Sequence, residues 1–325
     1  MTVGTRFARR PHAGAAGLEE VACPGCGSER RMPILVGRDP ISLDPFPVVR
    51  CTDCELAYVN PRPDAVRLPA YYPSRYFGAR HPIFKQQLMA LRTRKLGRPA
   101  PGARLLDIGC GCGDFILACK ERGWEVVGAE QAASPIFDRL EELGLDIVAV
   151  EGLARLPGAS FDAITLWHVF EHLADPVALL EEIHRLLKPG GRLLIEVPNF
   201  GGWHARLGGA AWHHLDVPRH LLHFSRKTLT RMLVSQQLLP ERWSTFSLEY
   251  DTFGTAQTWL NWVCRRPNRL HQWLIGRPIG GTGRDMVLTV LLIVPATVLA
   301  GVFSIVAALG GQGGVLRVIA RKQAG

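Results

Sequence analysis

Three groups of residues have the types and spacings that chemistry asks for. Cys23 and Cys26, and Cys51 and Cys54, form two Cys-x2-Cys pairs in turns (Cys-Pro-Gly-Cys-Gly and Cys-Thr-Asp-Cys), separated by 24 residues. Four thiolates on two such knuckles can close a tetrahedral zinc site, structural because no position stays open for chemistry. RRMPILVG and FPVVR between them can form the short strands of a zinc ribbon. The alternatives are two disulfides or unpaired thiols. The first 20 residues hold Arg6, Arg9 and Arg10 but no apolar run, so no secretory signal is expected and disulfides are disfavoured. The second group is the stretch LLDIGCGCGD, 105–114, where an apolar strand runs into Asp107 and a loop with glycine at every second position leads to a helix. The third is a set of histidines, His168, His172, His213, His214, His220 and His223, with Glu171 among them.

The loop selects its ligand. Its spacing is Gly-x-Gly-x-Gly, whereas a dinucleotide fingerprint would need a third glycine at the position of Asp114. A pyrophosphate sits poorly between Asp107 and Asp114; a cation such as a sulfonium with an amino group suits them better. Asp-x-Gly-x-Gly-x-Gly after a strand resembles motif I of the class I S-adenosylmethionine-dependent methyltransferases. The match extends to WEVVGAE (124–130), a second strand ending in an acid, and to FDAITLWHVFEH (161–172) and LLKPGGRLLIEVP (186–198), similar to that family's fourth and fifth strands. Glu130 follows Asp107 by 23 residues, near the ~20-residue offset of ribose-binding acids in related nucleotide folds. The resemblance covers roughly 100–250 and the last ten or so residues.

It implies a methyltransferase enzyme with S-adenosylmethionine as methyl donor. Gly109, Gly111 and Gly113, with Cys110 between them, would let backbone amides approach the methionine part. Asp107 would hold its amino group, and Glu130 both ribose hydroxyls, since a carboxylate is a two-pronged acceptor. Gln131 would lie near the adenine, and His168 near the reacting methyl. Where the family often has an acid after the third strand this chain has Leu153, a departure. Cys110, Cys112, Cys119 and Cys264 lack paired spacing, and their thiols are assigned no chemistry.

Methyl transfer from a sulfonium needs positioning and desolvation, and a hydroxyl or carbon acceptor can also need a base. His220, His223 and Glu171 are the catalytic candidates, at the edge where open α/β sheets bind ligands. Glu171 could equally pair with Arg219. PRHLLHFS, 218–225, resembles a segment of a methyltransferase subgroup that often carries an N-terminal zinc ribbon and, where the acceptor is known, often modifies sugars or lipid-like molecules. The amine-methylating tetrad Asn-Pro-Pro-Tyr is absent: Trp167-His168-Val169 stands there instead.

The net charge of +9 is uneven. Residues 265–325 hold eight Lys and Arg against Asp285 alone, so most of the excess flanks MVLTVLLIVPATVLAGVFSIVAAL, 286–309. As one helix this run would reach about 36 Å, enough for a ~30 Å hydrocarbon core. The basic flanks place both ends on one side, and Pro295 and Gly301 could break the helix. A monotopic or re-entrant hairpin is therefore expected, with Trp259, Trp262 and Trp273 at the interface; the alternative is a buried core or dimer helix.

These elements imply an α/β fold: a Rossmann-like methyltransferase sheet with helices on both faces, a small N-terminal four-cysteine zinc ribbon and a C-terminal apolar helical insertion before the last strand. The expected parts are a mobile tail (1–20), the ribbon (21–62), a linker or lid (63–100) with aromatics at 71–77 and a basic helix at 82–96, the cofactor domain (101–252 and 313–325) and the membrane-associating insertion (253–312). Asp175-Pro176, Ser134-Pro135 and Ser225 read as helix starts. The expected acceptor is a small or lipid-linked molecule, such as a lipid-linked sugar, a polysaccharide precursor or an isoprenoid, methylated on oxygen or carbon at the cytoplasmic face of a membrane. An RNA methyltransferase, a soluble cytoplasmic enzyme and a non-catalytic membrane assembly factor are the alternatives; nucleic acid fits the clustered charge less well.

Overall fold

A computed structural model describes residues 17–72, 85–132, 134, 137–247, 250–274 and 283–323. The chain opens with short strands: β1 (Leu18–Glu19), β2 (Arg31–Arg38), β3 (Pro45–Cys51), β4 (Ala57–Val59) and β5 (Arg62–Pro63). Helix α1 (Lys85–Leu96) precedes an alternation of strands and helices: β6 (Arg104–Ile108), α2 (Asp114–Lys120), β7 (Glu125–Glu130), α3 (Phe137–Glu142), β8 (Asp146–Ala149), β9 (Phe161–Trp167), α4 (Pro176–Leu186) and β10 (Leu187–Pro198). Then follow α5 (Trp203–Gly208), β11 (Leu222–His223), α6 (Arg226–Ser235), β12 (Leu238–Ser244), α7 (Asp251–Val263), α8 (Arg269–Leu274), α9 (Gly283–Leu309) and β13 (Val315–Lys322).

Seven strands form one sheet in the order β12-β13-β10-β9-β6-β7-β8, with β13 antiparallel to both neighbours. Side chains alternate across it, as the pleat requires. Leu106, Ile108, Ile164 and Leu166 face a core shared with α4 and α6, while Leu105, Ala163 and Trp167 face one shared with α1 and α2. Helix starts follow the sequence signals: Asp175 Oδ1 accepts from Ala178 N, Pro176 opens α4, and Ser225 caps α6 in a capping box with Thr228. Residues 73–84, Pro135 and most of the N-terminal tail lie outside the described residues, so the expected lid is seen only through Tyr71 and Tyr72 and the basic helix only from Lys85.

The cysteine lobe is not a separate bead. Its sheet has the order β11-β4-β3-β2, so its fourth strand, Leu222–His223, comes from the far side of the chain. Asp39 of the lobe meets Arg219 in a buried ion pair (2.8 Å), and Arg219 also binds Asp216. Cys23, Leu56 and Tyr58 join the α4–α6 core.

The apolar run differs from the expected hairpin. It forms one continuous helix, α9, through both Pro295 and Gly301. Proline costs a ladder bond there, but α9 is braced along α7, and the seam explains how. Ala300, Ser304 and Ala307 are buried, and Thr255 of α7 faces Ser304. Ser304 Oγ lies 3.4 Å from Thr255 Oγ1 and 3.2 Å from His204 Nε2. Small residues let the two helices approach closely, and the large ones (Val290, Leu291, Val294, Val298, Leu299, Val302) are left exposed. This is the reverse of a soluble helix, whose large apolar residues face inward.

Candidate active site

The turn after β6 builds the first half of the site. Gly109, Gly111 and Gly113 all have positive φ (73°, 53° and 78°), which only glycine adopts readily. The loop lies against β7: Gly109 N donates to Ala129 O at 2.7 Å. A Cβ on Gly109 would collide with Val169, whereas one on Gly111 would meet nothing within 4 Å. Asp107 ends β6, buried, and accepts a 2.5 Å hydrogen bond from Thr165, its register partner on β9. Burial pushes its carboxyl up to about 7. Glu130 ends β7; its Oε2 accepts from Gly111 N (3.0 Å) and its Oε1 from Gln131 N (2.9 Å). Each carboxylate oxygen keeps a second acceptor site, so two hydroxyls can still be received. The Gln131 side chain is exposed beside it, the Cys110 thiol is buried and raised by that burial, and Leu153 lies in the core.

A buried acid awaiting a cation, an open glycine cradle and an acid aimed along the loop fit S-adenosylmethionine. Gly109, Gly111 and Gly113 would border its methionine part, Asp107 would take its ammonium and Glu130 its ribose.

The second half gathers residues far apart in sequence. His168, just after β9 and at φ 55°, is sandwiched between two carboxylates: Nδ1 lies 3.3 Å from Glu171 Oε1 and Nε2 lies 3.2 Å from Glu196 Oε1. Tyr250 covers it, ring centroids 3.8 Å apart. Burial alone would lower its pKa, but Tyr250 and the two carboxylates raise it well above the usual value, which favours the protonated ring. Glu196 also binds Arg317, its register partner on β13. Against desolvation, His168 and Arg317 hold Glu196 down at about 2. Arg317, Glu196, His168 and Glu171 thus alternate in charge through the interior.

Glu171 does not pair with Arg219, the partner open to it from sequence. Arg219 is taken by Asp39 and Asp216, and Glu171 by His168. Among the described residues, Glu171 Oε2 is buried with no hydrogen-bond partner. His220 is buried, its Nδ1 2.8 Å from the His214 carbonyl and its Nε2 3.9 Å from Glu171 Oε1. Burial, with His172 nearby, lowers it to about 4. His223 is lowered to about 3 by burial; it packs on Phe200, lines the crevice between the cysteine lobe and α5, and its Nε2 has no partner among the described residues. His213 and His214 are tied to Asn268 and the Tyr250 carbonyl.

Sequence reasoning missed Thr165, Glu196, Arg317 and Tyr250. For the first three the signal is strand register, visible only once the sheet order is known. Tyr72 sits with its hydroxyl 3.2 Å from His172 Nδ1.

At the cysteines, Cys23 and Cys54 Sγ lie 3.4 Å apart, Cys26 and Cys51 Sγ 3.6 Å, and all four fall within 4.8 Å of one another. Thiolates about 2.3 Å from one tetrahedral ion would be about 3.8 Å apart. The set fits such an ion.

An open sheet with a glycine turn after its first strand and an acid ending its second defines a nucleotide-cofactor protein of the methyltransferase type. A family model described as "Methyltransferase domain" matches residues 80–238, a little under half of the chain, and with the fold supports a class I S-adenosylmethionine-dependent methyltransferase. The ubiquinone biosynthesis O-methyltransferase of Ruegeria pomeroyi is 44% identical over 115 residues, covering 33% of this chain and 46% of that protein. The protein of the same name from Pseudomonas aeruginosa is 32% identical over 105 residues, 30% of this chain and 45% of that one. The chain thus spans about half the length of the curated relatives it matches. Among solved structures, a SAM-dependent methyltransferase from Archaeoglobus fulgidus aligns over 73% of this chain and 94% of its own, at 21% identity and a TM-score of 0.47.

Proposed function

We propose that this chain transfers a methyl group from S-adenosylmethionine to an oxygen, or a carbon, of an isoprenoid-like or lipid-linked acceptor at a membrane surface. The sulfonium supplies an activated methyl when bound. Asp107 and Glu130 orient the donor, the glycine loop brings it close, and the buried second half excludes water and receives the acceptor. His220, with a neutral ring and Nε2 toward Glu171, is placed to take the acceptor's proton. His223, lining the neighbouring crevice, is the second candidate base. Cys23, Cys26, Cys51 and Cys54 hold a structural zinc ion.

The observation that carries the reading is the outward face of α9. Its large apolar residues are exposed, and the helix leads directly into β13 at the sheet edge where the histidines lie. A contiguous apolar face of this length marks a membrane or partner surface, and the basic residues around it suit anionic lipid. The O-methyltransferase names of the relatives support an apolar acceptor. α9 would rest in the interface, its basic flanks on the cytoplasmic side.

The test is a methyl-labelled donor incubated with the full chain and a whole cell extract, then partitioned between organic and aqueous phases. Label is expected in the organic phase. Label confined to water-soluble material, RNA included, overturns the acceptor class.

A further inference from the structure

The crevice between the cysteine lobe and α5 has a composition of its own. Ile34 and Leu35 of β2 and Phe200 make it apolar, and Arg50 of β3 and Arg206 of α5 give it positive charge. Its volume, about 380 Å³, falls within the roughly 300–1,000 Å³ of small-ligand sites. Three observations point to what it holds. The first is the state of its arginines. Elsewhere in the cysteine lobe Arg30, Arg31 and Arg62 are each paired, with Asp53, Glu20 and Glu19. Arg50 and Arg206 make no hydrogen bond or ion pair among the described residues. Glu55, the acid in the lining, is taken by Lys227. Two cations gathered at one crevice repel each other, and an anion between them reverses that cost. A guanidinium presents a fork of N–H donors that matches phosphate oxygens.

The second observation is Gly209, which ends α5 and lines the crevice beside Arg206. Its φ of 51° and ψ of −130° suit glycine alone, and a Cβ there would meet nothing within 4 Å. The turn therefore leaves this wall open. The third is the neighbour of the crevice. Trp203 and Leu207, one turn apart on α5, are both exposed, and the Trp203 ring lies 6.3 Å from that of Phe303 on α9. The exposed apolar face of α9 thus continues onto α5, and Arg206, next to Leu207 in the chain, stands between that face and the crevice. Apolar surface followed by a basic rim is the order in which an anionic amphiphile is built, chain first and head group at the water boundary.

We propose that this crevice binds the phosphate or diphosphate group of an amphiphile, held by Arg50 and Arg206, with its apolar chain along α5 and α9. The inference rests on the proposed function and narrows its acceptor to a molecule carrying phosphate next to its apolar chain. His223 lies in the same lining, so a molecule held there by its phosphate has its remainder beside one of the two candidate bases. The contacts to the anion are guanidinium contacts; no histidine nitrogen takes part in them.

The test is calorimetry on the full chain in non-ionic detergent, with farnesyl diphosphate, farnesol and dihexanoylphosphatidylglycerol as probes. Farnesyl diphosphate is expected to bind at least about tenfold tighter than farnesol, and Arg50→Gln and Arg206→Gln should each weaken it at least about tenfold. Both side chains are exposed, so melting temperature and S-adenosylmethionine affinity should hold and show that the variants are folded; should one fail, the other serves alone. Arginine-dependent binding of farnesyl diphosphate assigns the phosphate to the acceptor. The same dependence for phosphatidylglycerol alone keeps the phosphate site and gives it to a membrane phospholipid. Equal binding of farnesol and farnesyl diphosphate, or unchanged binding of both anions in folded variants, overturns the site. Organic-phase methyl label undiminished in both variants would keep the proposed function and remove the crevice from it. Arginine-dependent binding with label only in water-soluble material would do the opposite.

Discussion

The two halves of the active site are built on opposite plans. The donor half is local. Asp107, its glycines and Glu130 lie within 24 residues of chain, and the carboxylates are satisfied by Thr165 or by loop amides. The half proposed for the acceptor draws on Tyr72, His168 to His172, Glu196, His220, Tyr250 and Arg317, and among the described residues keeps buried polar atoms without partners. The proposed donor side is built from short-range groups, whereas the proposed acceptor side is held in shape by an alternating chain of charges. One site therefore combines a generic half with a half whose specificity is written in long-range contacts.

The strongest way to break that division is at Glu130. Glu130→Ala removes the acceptor of Gly111 and Gln131 amides and of the ribose, and should weaken S-adenosylmethionine binding at least about 100-fold, or roughly 3 kcal/mol. Glu171→Ala should leave it within about threefold by calorimetry. Equal losses would mean that the halves are not separate.

Next comes a pair of glycines. Gly109→Ala meets both a positive φ and Val169, and should cost about 2 kcal/mol, seen as a melting temperature at least ~4 °C lower. Gly111→Ala has the strain without the collision and should lose less. The reverse order would contradict the packing of this loop.

A smaller effect separates the halves by pH. Asp107 is raised to about 7 by burial, so without donor the native state keeps a proton that the unfolded chain releases near 4. Stability from this group therefore falls as pH rises from about 4 to 7. Donor affinity runs the other way, because the ammonium needs the ionised carboxylate. It should rise about tenfold from pH 6 to 8, levelling as the ligand's own α-amino group titrates near 8. Asp107→Asn should flatten the profile; an unchanged profile would assign the titration elsewhere.

The smallest effect on the fold is expected on α9. Leu291 and Val298 are exposed, so Leu291→Glu with Val298→Glu should move stability by no more than about 1 kcal/mol. Donor affinity should hold, but cosedimentation with anionic vesicles should be lost. Retained vesicle binding would remove α9 from the membrane contact.

What the sequence made legible follows the same line. The cysteine knuckles, the Asp107 loop, Glu130 and the caps at Asp175 and Ser225 are short-range patterns whose geometry their own residues dictate. The acceptor side was legible only as a cluster of titratable types. Which histidine nitrogen bears hydrogen depends on carbonyls such as that of Arg219, 47 residues from His172. The partner of Glu196 depends on β13, which lies beyond the α7–α9 insertion. The apolar run reads as a hairpin when its proline is weighed without the α7 surface that keeps the helix continuous.

The borrowed strand β11 ties assembly to the order of synthesis. The cysteine lobe is complete in ligands once Cys54 is made, but the edge of β4 stays unpaired until Leu222 and His223 emerge, about 160 residues later. At translation speeds of about 5–20 residues per second this is a wait of roughly 8–30 seconds. During it an open strand edge is exposed to any passing chain. A metal ion captured early would hold the lobe's turns in place through that interval, and the closing strand arrives just after His220, so the acceptor half and the cysteine lobe reach their final form together.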